Sequence, residues 1–176
     1  MTKIFDSRDI CAWPGHEIRY RSLSDLRYLM LHRIDPRQLH VEDTAEAVAR
    51  WFRVHERWTM PYTFFIRRDG TIEQTRSLDE MSPHAYTQNR YALAVGLSGD
   101  FRHSGPTFEQ EHSLHWLAPL LVQWLGLEIV GHTDVEGATS DPDKVCPGWH
   151  LDVADIAETI RREARLELGT AGLSLG

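Results

Sequence analysis

The stretch Tyr62–Arg76, "YTFFIRRDGTIEQTR", is two β-rich runs on either side of "RRDGT". Asp69-Gly70 between such runs is a strong hairpin signal, because a tight turn needs residues that tolerate left-handed backbone. Upstream, "LRYLMLHRI" (Leu26–Ile34) is short and apolar, the composition of a buried strand. Between the two, "VEDTAEAVARWFRVHERW" (Val41–Trp58) repeats Ala45, Val48, Ala49, Phe52 and Trp58 at helical spacing behind an acidic start. Downstream, "RYALAVGLSGDF" (Arg90–Phe101) reads as another buried strand. "TFEQEHSLHWLAPLLVQWLG" reads as a helix that opens on a capping box, Thr107 with Gln110, and stops at Gly126. "LEIVGH" is a short strand, Thr133–Asp143 a long polar loop, and "LDVADIAETIRREARLEL" a final amphipathic helix. The order strand, helix, hairpin, strand, helix, strand, helix predicts an α/β domain, a single mixed central β-sheet flanked by helices on both faces.

Bulk properties bound the function. A chain of 176 residues with 41% hydrophobic and 26% charged residues suits one soluble domain with one sizeable core. Neither an internal repeat nor a linker divides it, so the expected organisation is an N-terminal extension over 1–25 packed on or beside the domain, a catalytic domain over 26–167, and a loose tail over 168–176. A net charge of -7 argues against a nucleic-acid partner. The N-terminus has no apolar run of signal-peptide length. The longest apolar block, Leu114–Val130, is broken by His115, Pro119, Gln123 and Glu128. The expectation is therefore synthesis in the cytoplasm without a signal peptide, no membrane insertion, and a monomer. In that compartment Cys11 and Cys146 are expected to stay unpaired.

His32 lies near the end of the first strand, His132 at the end of the last, and Cys146 on the loop beyond it, in "SDPDKVCPGWH" (Ser140–His150). Two imidazoles and a thiolate make a good zinc set, and three protein ligands leave a fourth position open, as catalytic sites do. Spacing alone does not select these three from ten histidines. His150 is the best rival ligand. His112 and His115 share a helix face but lie away from the strand ends. Trp51 and Trp58 sit near the expected groove, where core packing outweighs sugar contact.

"YLMLH", "PYTFFIRRDGTIEQTR", "PHAYTQNRYALAVGLSGDF" and "IVGHTDV…DPDKVCPG" occur in that order over roughly Leu26–Leu151. Together they resemble the zinc-dependent N-acetylmuramoyl-L-alanine amidases of type 2, which include amidase-type phage lysozymes and share their fold with the peptidoglycan recognition proteins. The resemblance implies one Zn2+ per chain on His32, His132 and Cys146. It implies catalytic roles for Tyr62 and Lys144, and a substrate groove lined by His84, Ala85 and Asn89. The substrate would be peptidoglycan or a muropeptide, cut at the amide between N-acetylmuramic acid and L-alanine. Lys144 would stabilise the oxyanion, and Tyr62 would either orient water or give a proton to the leaving amine. Pro147-Gly148 would aim the thiolate, because proline holds the preceding residue extended and glycine then turns the chain.

This sequence departs from the family where some members carry a glutamate in the central strand; Gly96 stands there. The loop before Cys146 is longer than in the shortest members. The leading expectation is a bacteriolytic, endolysin-type enzyme released to the periplasm by a holin-type partner. The alternatives are a cytoplasmic amidase that recycles muropeptides and a recognition module that binds without cutting. Such modules typically lack the third ligand, which Cys146 supplies.

Overall fold

Alternating small and large side chains along two central strands decide which face of the sheet each residue takes. The structure, a computed structural model, describes residues 2–141 and 143–171, with side chains to residue 163. In β2 (Tyr28–Ile34), Leu29 and Leu31 point one way, and Met30, His32 and Ile34 the other. β5 (Ala92–Ser98) repeats the pattern, with Leu93, Val95 and Leu97 on the first face and Ala92, Ala94 and Gly96 on the second. Every residue of β5 is buried, as a strand covered on both faces must be.

Among the described residues the sheet has six strands, in the order β1 (Ile4–Asp6), β4 (Ile72–Gln74), β3 (Phe64–Ile66), β5, β2 and β6 (Glu128–Gly131). β3 (Phe64–Ile66) and β4 (Ile72–Gln74) form the expected hairpin, antiparallel with Phe64 opposite Gln74 and Ile66 opposite Ile72. β3, β5, β2 and β6 (Glu128–Gly131) run parallel. The hairpin is thus what makes the sheet mixed. β1 (Ile4–Asp6) pairs parallel with β4 and leads into a single-turn helix, α1 (Arg8–Cys11), so the N-terminal extension supplies one edge of the same sheet. Its three residues are all exposed and carry no core signal.

On the large-residue face lie α3 (Phe108–Leu125) and α4 (Val153–Ala171), which bury Leu114, Leu117, Leu121, Ile156 and Ile160 against β2, β3 and β5. Thr107 caps α3 as expected, accepting from the Gln110 amide at 3.1 Å while the Gln110 side chain accepts from the Thr107 amide at 3.1 Å. α4 reaches Ala171, so the expected tail over 168–176 begins as helix, and 172–176 lie outside the described residues.

The other face carries α2 (Ala45–Trp51), whose Ala45, Val48 and Ala49 pack on Ile34, Phe65 and Ala94. α2 is shorter than its periodicity suggests. A π-helical turn over Phe52–Glu56 comes next, and Arg57 turns left-handed at φ 57°, which brings the Trp58 amide back to the Phe52 carbonyl at 3.2 Å. Trp58 is therefore off the helix and half exposed. α2 covers only part of this face. Beyond it, the small residues of β5 leave room for buried polar side chains, His32, His84 and His132 among them.

Candidate metal centre

Neighbouring parallel strands bring the two histidines together. Leu31 pairs with Gly131 across β2 and β6, so His32 and His132 come next at one level, with ring centroids 4.5 Å apart. The residue after each histidine then holds the third group. Arg33 donates its Nε–H to the Val145 carbonyl at 3.1 Å. Thr133 donates its amide at 3.1 Å and its hydroxyl at 2.9 Å to the Cys146 carbonyl. Beyond Pro147 the chain runs against Phe101: Gly148 has φ 131°, and a Cβ there would lie 2.4 Å from the Phe101 carbonyl carbon. Only glycine fits that approach. The result is a cluster in which one ligand atom each from His32, His132 and Cys146 lie within 4.8 Å of one another, all three residues buried.

Hydrogen bonds fix which ring nitrogens face the cluster. His132 Nε2 lies 2.9 Å from the Ala138 carbonyl, which can only accept, so the proton is on Nε2 and the lone pair on Nδ1. That Nδ1 is buried and has no partner among the described residues. A buried acceptor left so costs about 1–3 kcal/mol. The long polar loop therefore supplies the acceptor that orients His132, and it is tied down in turn by Thr87 Oγ1 on the Gly137 carbonyl at 2.8 Å. His32 Nδ1 lies 3.8 Å from Cys146 Sγ, and its Nε2 lies 3.0 Å from His84 Nδ1.

Burial keeps the cluster uncharged. It holds the His32 imidazole well below its ordinary value, with neighbouring His84, His132 and Lys144 adding to the effect. Burial likewise lowers His132 to about 4. The Cys146 thiol is pushed up by burial, against the pull of the Arg33 backbone and of the Lys144 and Arg33 charges. Two neutral imidazoles with free lone pairs and one thiol fit a zinc-type ion by donor chemistry and by size, and the partnerless His132 Nδ1 is the acceptor such an ion would satisfy.

The other expected residues surround this cluster unequally. Tyr62 is buried, its ring centroid 5.5 Å from that of His32, and its ring lies against Gly96. A Cβ on Gly96 would stand 2.5 Å from the ring. Burial pushes the Tyr62 phenol well up, helped by Cys146. Lys144 is exposed at the rim, and its charge is felt by all three cluster residues. His84 is buried and bonded to His32. Ala85 is fully buried beside Met30, Ala92 and Ala138. Asn89 accepts from the His84 and Ala85 amides at 2.9 and 2.7 Å, so it braces the turn that carries them. His150 is exposed and stands outside the cluster. His112 stacks on Phe108, and His115 approaches Glu163 at 3.8 Å, both on α3. Trp51 stacks on His55. Both cysteines are free thiols, and burial raises that of Cys11 to about 12. Spacing gave no hint of Arg33, Thr133 or the Ala138 carbonyl, because the first two act through bonds that span 112 and 13 residues and the third through its backbone.

A family model for N-acetylmuramoyl-L-alanine amidases matches residues 22–149. An endolysin of Klebsiella phage KP32 is 30% identical over 110 residues, which cover 59% of this chain and 69% of that protein. Among solved structures, the N-acetylmuramoyl-L-alanine amidase LysC from Clostridium intestinale URNW aligns with TM-score 0.73 and 21% identity, over 92% of this chain and 99% of that one. The Ph2119 endolysin from Thermus scotoductus MAT2119 bacteriophage Ph2119 aligns with TM-score 0.72 and 19% identity, over 89% and 97%. At such identities these two likenesses speak for the fold alone.

Proposed function

The chain belongs to the N-acetylmuramoyl-L-alanine amidase family and acts on peptidoglycan; from that premise we propose that it is a zinc-dependent, endolysin-type enzyme, with His32, His132 and Cys146 holding one ion. The observation that carries the ligand assignment is the cluster itself: two imidazoles and a thiol, all buried, with one ligand atom each within 4.8 Å of one another, and a His132 Nδ1 whose lone pair has no partner among the described residues. Bound there, zinc supplies Lewis acidity toward the scissile carbonyl and toward an attacking water.

The protein's own groups do the rest. The reaction adds water across the lactyl amide: the water oxygen bonds to the carbonyl carbon, the C–N bond breaks, and a proton ends on the amine of L-alanine. Lys144 stands at the rim as the cation for the developing oxyanion. Tyr62 enters the reaction as a neutral phenol, because burial opposes its ionisation. That supports proton donation toward the leaving amine over action as a base. The buried walls around His32 and Tyr62 exclude water from the charged stages.

The phage endolysin relative supports a lytic role. In that reading the chain is made in the cytoplasm, works as a monomer, and reaches the wall once a holin-type partner permeabilises the membrane. No described helix is long and apolar enough to cross a membrane. Mass spectrometry of digested peptidoglycan, with metal content measured on the same sample, tests the whole reading. New N-terminal L-alanine with zinc near one per chain is expected; new reducing sugar ends would overturn it. Turnover on intact sacculi rather than only on soluble muropeptides separates lysis from recycling.

A further inference from the structure

We propose that His84 is a positioning residue, a proton relay between a backbone carbonyl and His32 that leaves His32 with a bare Nδ1 facing Cys146 and His132. The inference rests on the zinc reading of the cluster. It starts from the Ala92 carbonyl, 3.3 Å from His84 Nε2. A carbonyl has no proton to give, so His84 carries its proton on Nε2 and Nδ1 is an acceptor. His32 Nε2, 3.0 Å away, must then be the donor, and the His32 lone pair is left on Nδ1, 3.8 Å from Cys146 Sγ. One carbonyl thereby sets the tautomer of a ligand ring that it does not touch.

His132 needs no such relay, because the Ala138 carbonyl reaches it directly at 2.9 Å. His32 is different. It sits within β2, opposite Gly96 of β5 and one residue past the last β2–β6 pair, Leu31 with Gly131, and the only hydrogen-bonding neighbours of its ring among the described residues are side chains, His84 and Cys146. A side chain must bring the acceptor to it. The surroundings hold His84 for this task. Asn89 Oδ1 accepts from the His84 and Ala85 amides. Arg21, from the N-terminal extension, donates to the Ala92 carbonyl at 2.7 Å and to the Asn89 carbonyl at 2.6 Å. An imidazolium at His84 would lie beside that fixed positive charge. Both ring nitrogens of His84 are thus engaged inside the protein, which accounts for its burial.

Two measurements decide the proposal. In the metal-free wild-type protein at neutral pH, long-range proton–nitrogen NMR of the imidazoles should show His84 and His32 both protonated on Nε2. A proton on Nδ1 of either ring overturns the relay, whatever the protein binds. Next, zinc affinity is read by chelator competition in two variants. His84→Asn keeps an acceptor oxygen near the Nδ1 position, and His84→Leu removes it. Zinc affinity should fall roughly 10–100-fold in His84→Leu and stay within about threefold of wild type in His84→Asn. Wild-type affinity in His84→Leu, or equal weakening in both variants with cooperative unfolding retained, overturns it. A wild-type protein that takes up no zinc refutes the ligand assignment instead, and the NMR result still judges the relay.

Discussion

Gly96 is where one missing side chain selects the machinery. Some relatives carry a glutamate in this strand, but a Cβ here would sit 2.5 Å from the Tyr62 ring. A glutamate at position 96 and a tyrosine in this pose exclude each other. Gly96→Ala should therefore keep zinc at the wild-type level while shifting the Tyr62 ring, and turnover should fall roughly 10²-fold. Metal analysis and steady-state kinetics on one preparation check this; undiminished turnover would mean that the ring position is irrelevant to the reaction. Lys144 gives the complementary case. It is exposed and forms no ion pair among the described residues, so Lys144→Ala should leave unfolding and zinc content unchanged. Its turnover on purified peptidoglycan should still drop roughly 10²–10³-fold, as expected for the loss of one oxyanion-stabilising group. Loss of zinc in that variant would make the lysine structural.

Glu73 of β4 joins three elements. Its carboxylate accepts from Ser7 Oγ beside β1 at 2.8 Å, from the Ala45 amide at the start of α2 at 2.8 Å, and from Arg67 Nε in the hairpin turn at 2.6 Å. Burial alone would raise its pKa, but Arg67, the Ala45 amide and Ser7 outweigh that and hold it below the ordinary value of 4.5. The folded value lies under the unfolded one, so the stabilisation is complete above about pH 4.5 and is lost as pH falls through the lower folded value. Glu73→Gln should cost about 1–3 kcal/mol at neutral pH, and the gap to wild type should close in acid. Urea unfolding across that range reads it; a gap that never changes would place the effect outside the charge. Nothing along the chain announces this junction, since two of its members stand 28 and 66 residues from Glu73. The strands, the hairpin and the α3 cap were legible because their signals are local: alternation, Asp-Gly, and Thr107 with Gln110. β1 was not, because three exposed residues on an edge need no apolar pattern. The π turn after α2 was not, because Phe52 keeps helical spacing through it. In the site, the three cluster residues and Tyr62 could be picked out by resemblance. The His32–His84 bond could not, because only the parallel register and the small residues of β5 bring those rings together.

With zinc bound as proposed, the cluster would work as a clasp across the whole molecule. His32 sits on β2, the strand next to the β6 edge, His132 leaves that edge strand, and Cys146 belongs to the segment that leads into α4. In the unfolded chain these groups are separated by 100 and 14 residues of sequence and offer zinc no preformed site, so binding energy becomes folding energy. Free zinc at a hundredfold excess over its Kd contributes about 2.7 kcal/mol. For a chain of this size, each kcal/mol moves Tm by roughly 2–4 °C. Stripping the metal with a chelator should thus lower Tm by roughly 5–10 °C, and restoring zinc should recover it. Cys146→Ala should melt near the metal-stripped wild type and respond to neither treatment. The variant matters because a chelator could act on any weak surface site, whereas only the clasp contains Cys146. A Cys146→Ala protein whose Tm still rises with zinc would show that the stabilising ion sits elsewhere, and the link between this cluster and the fold's stability would fail with it.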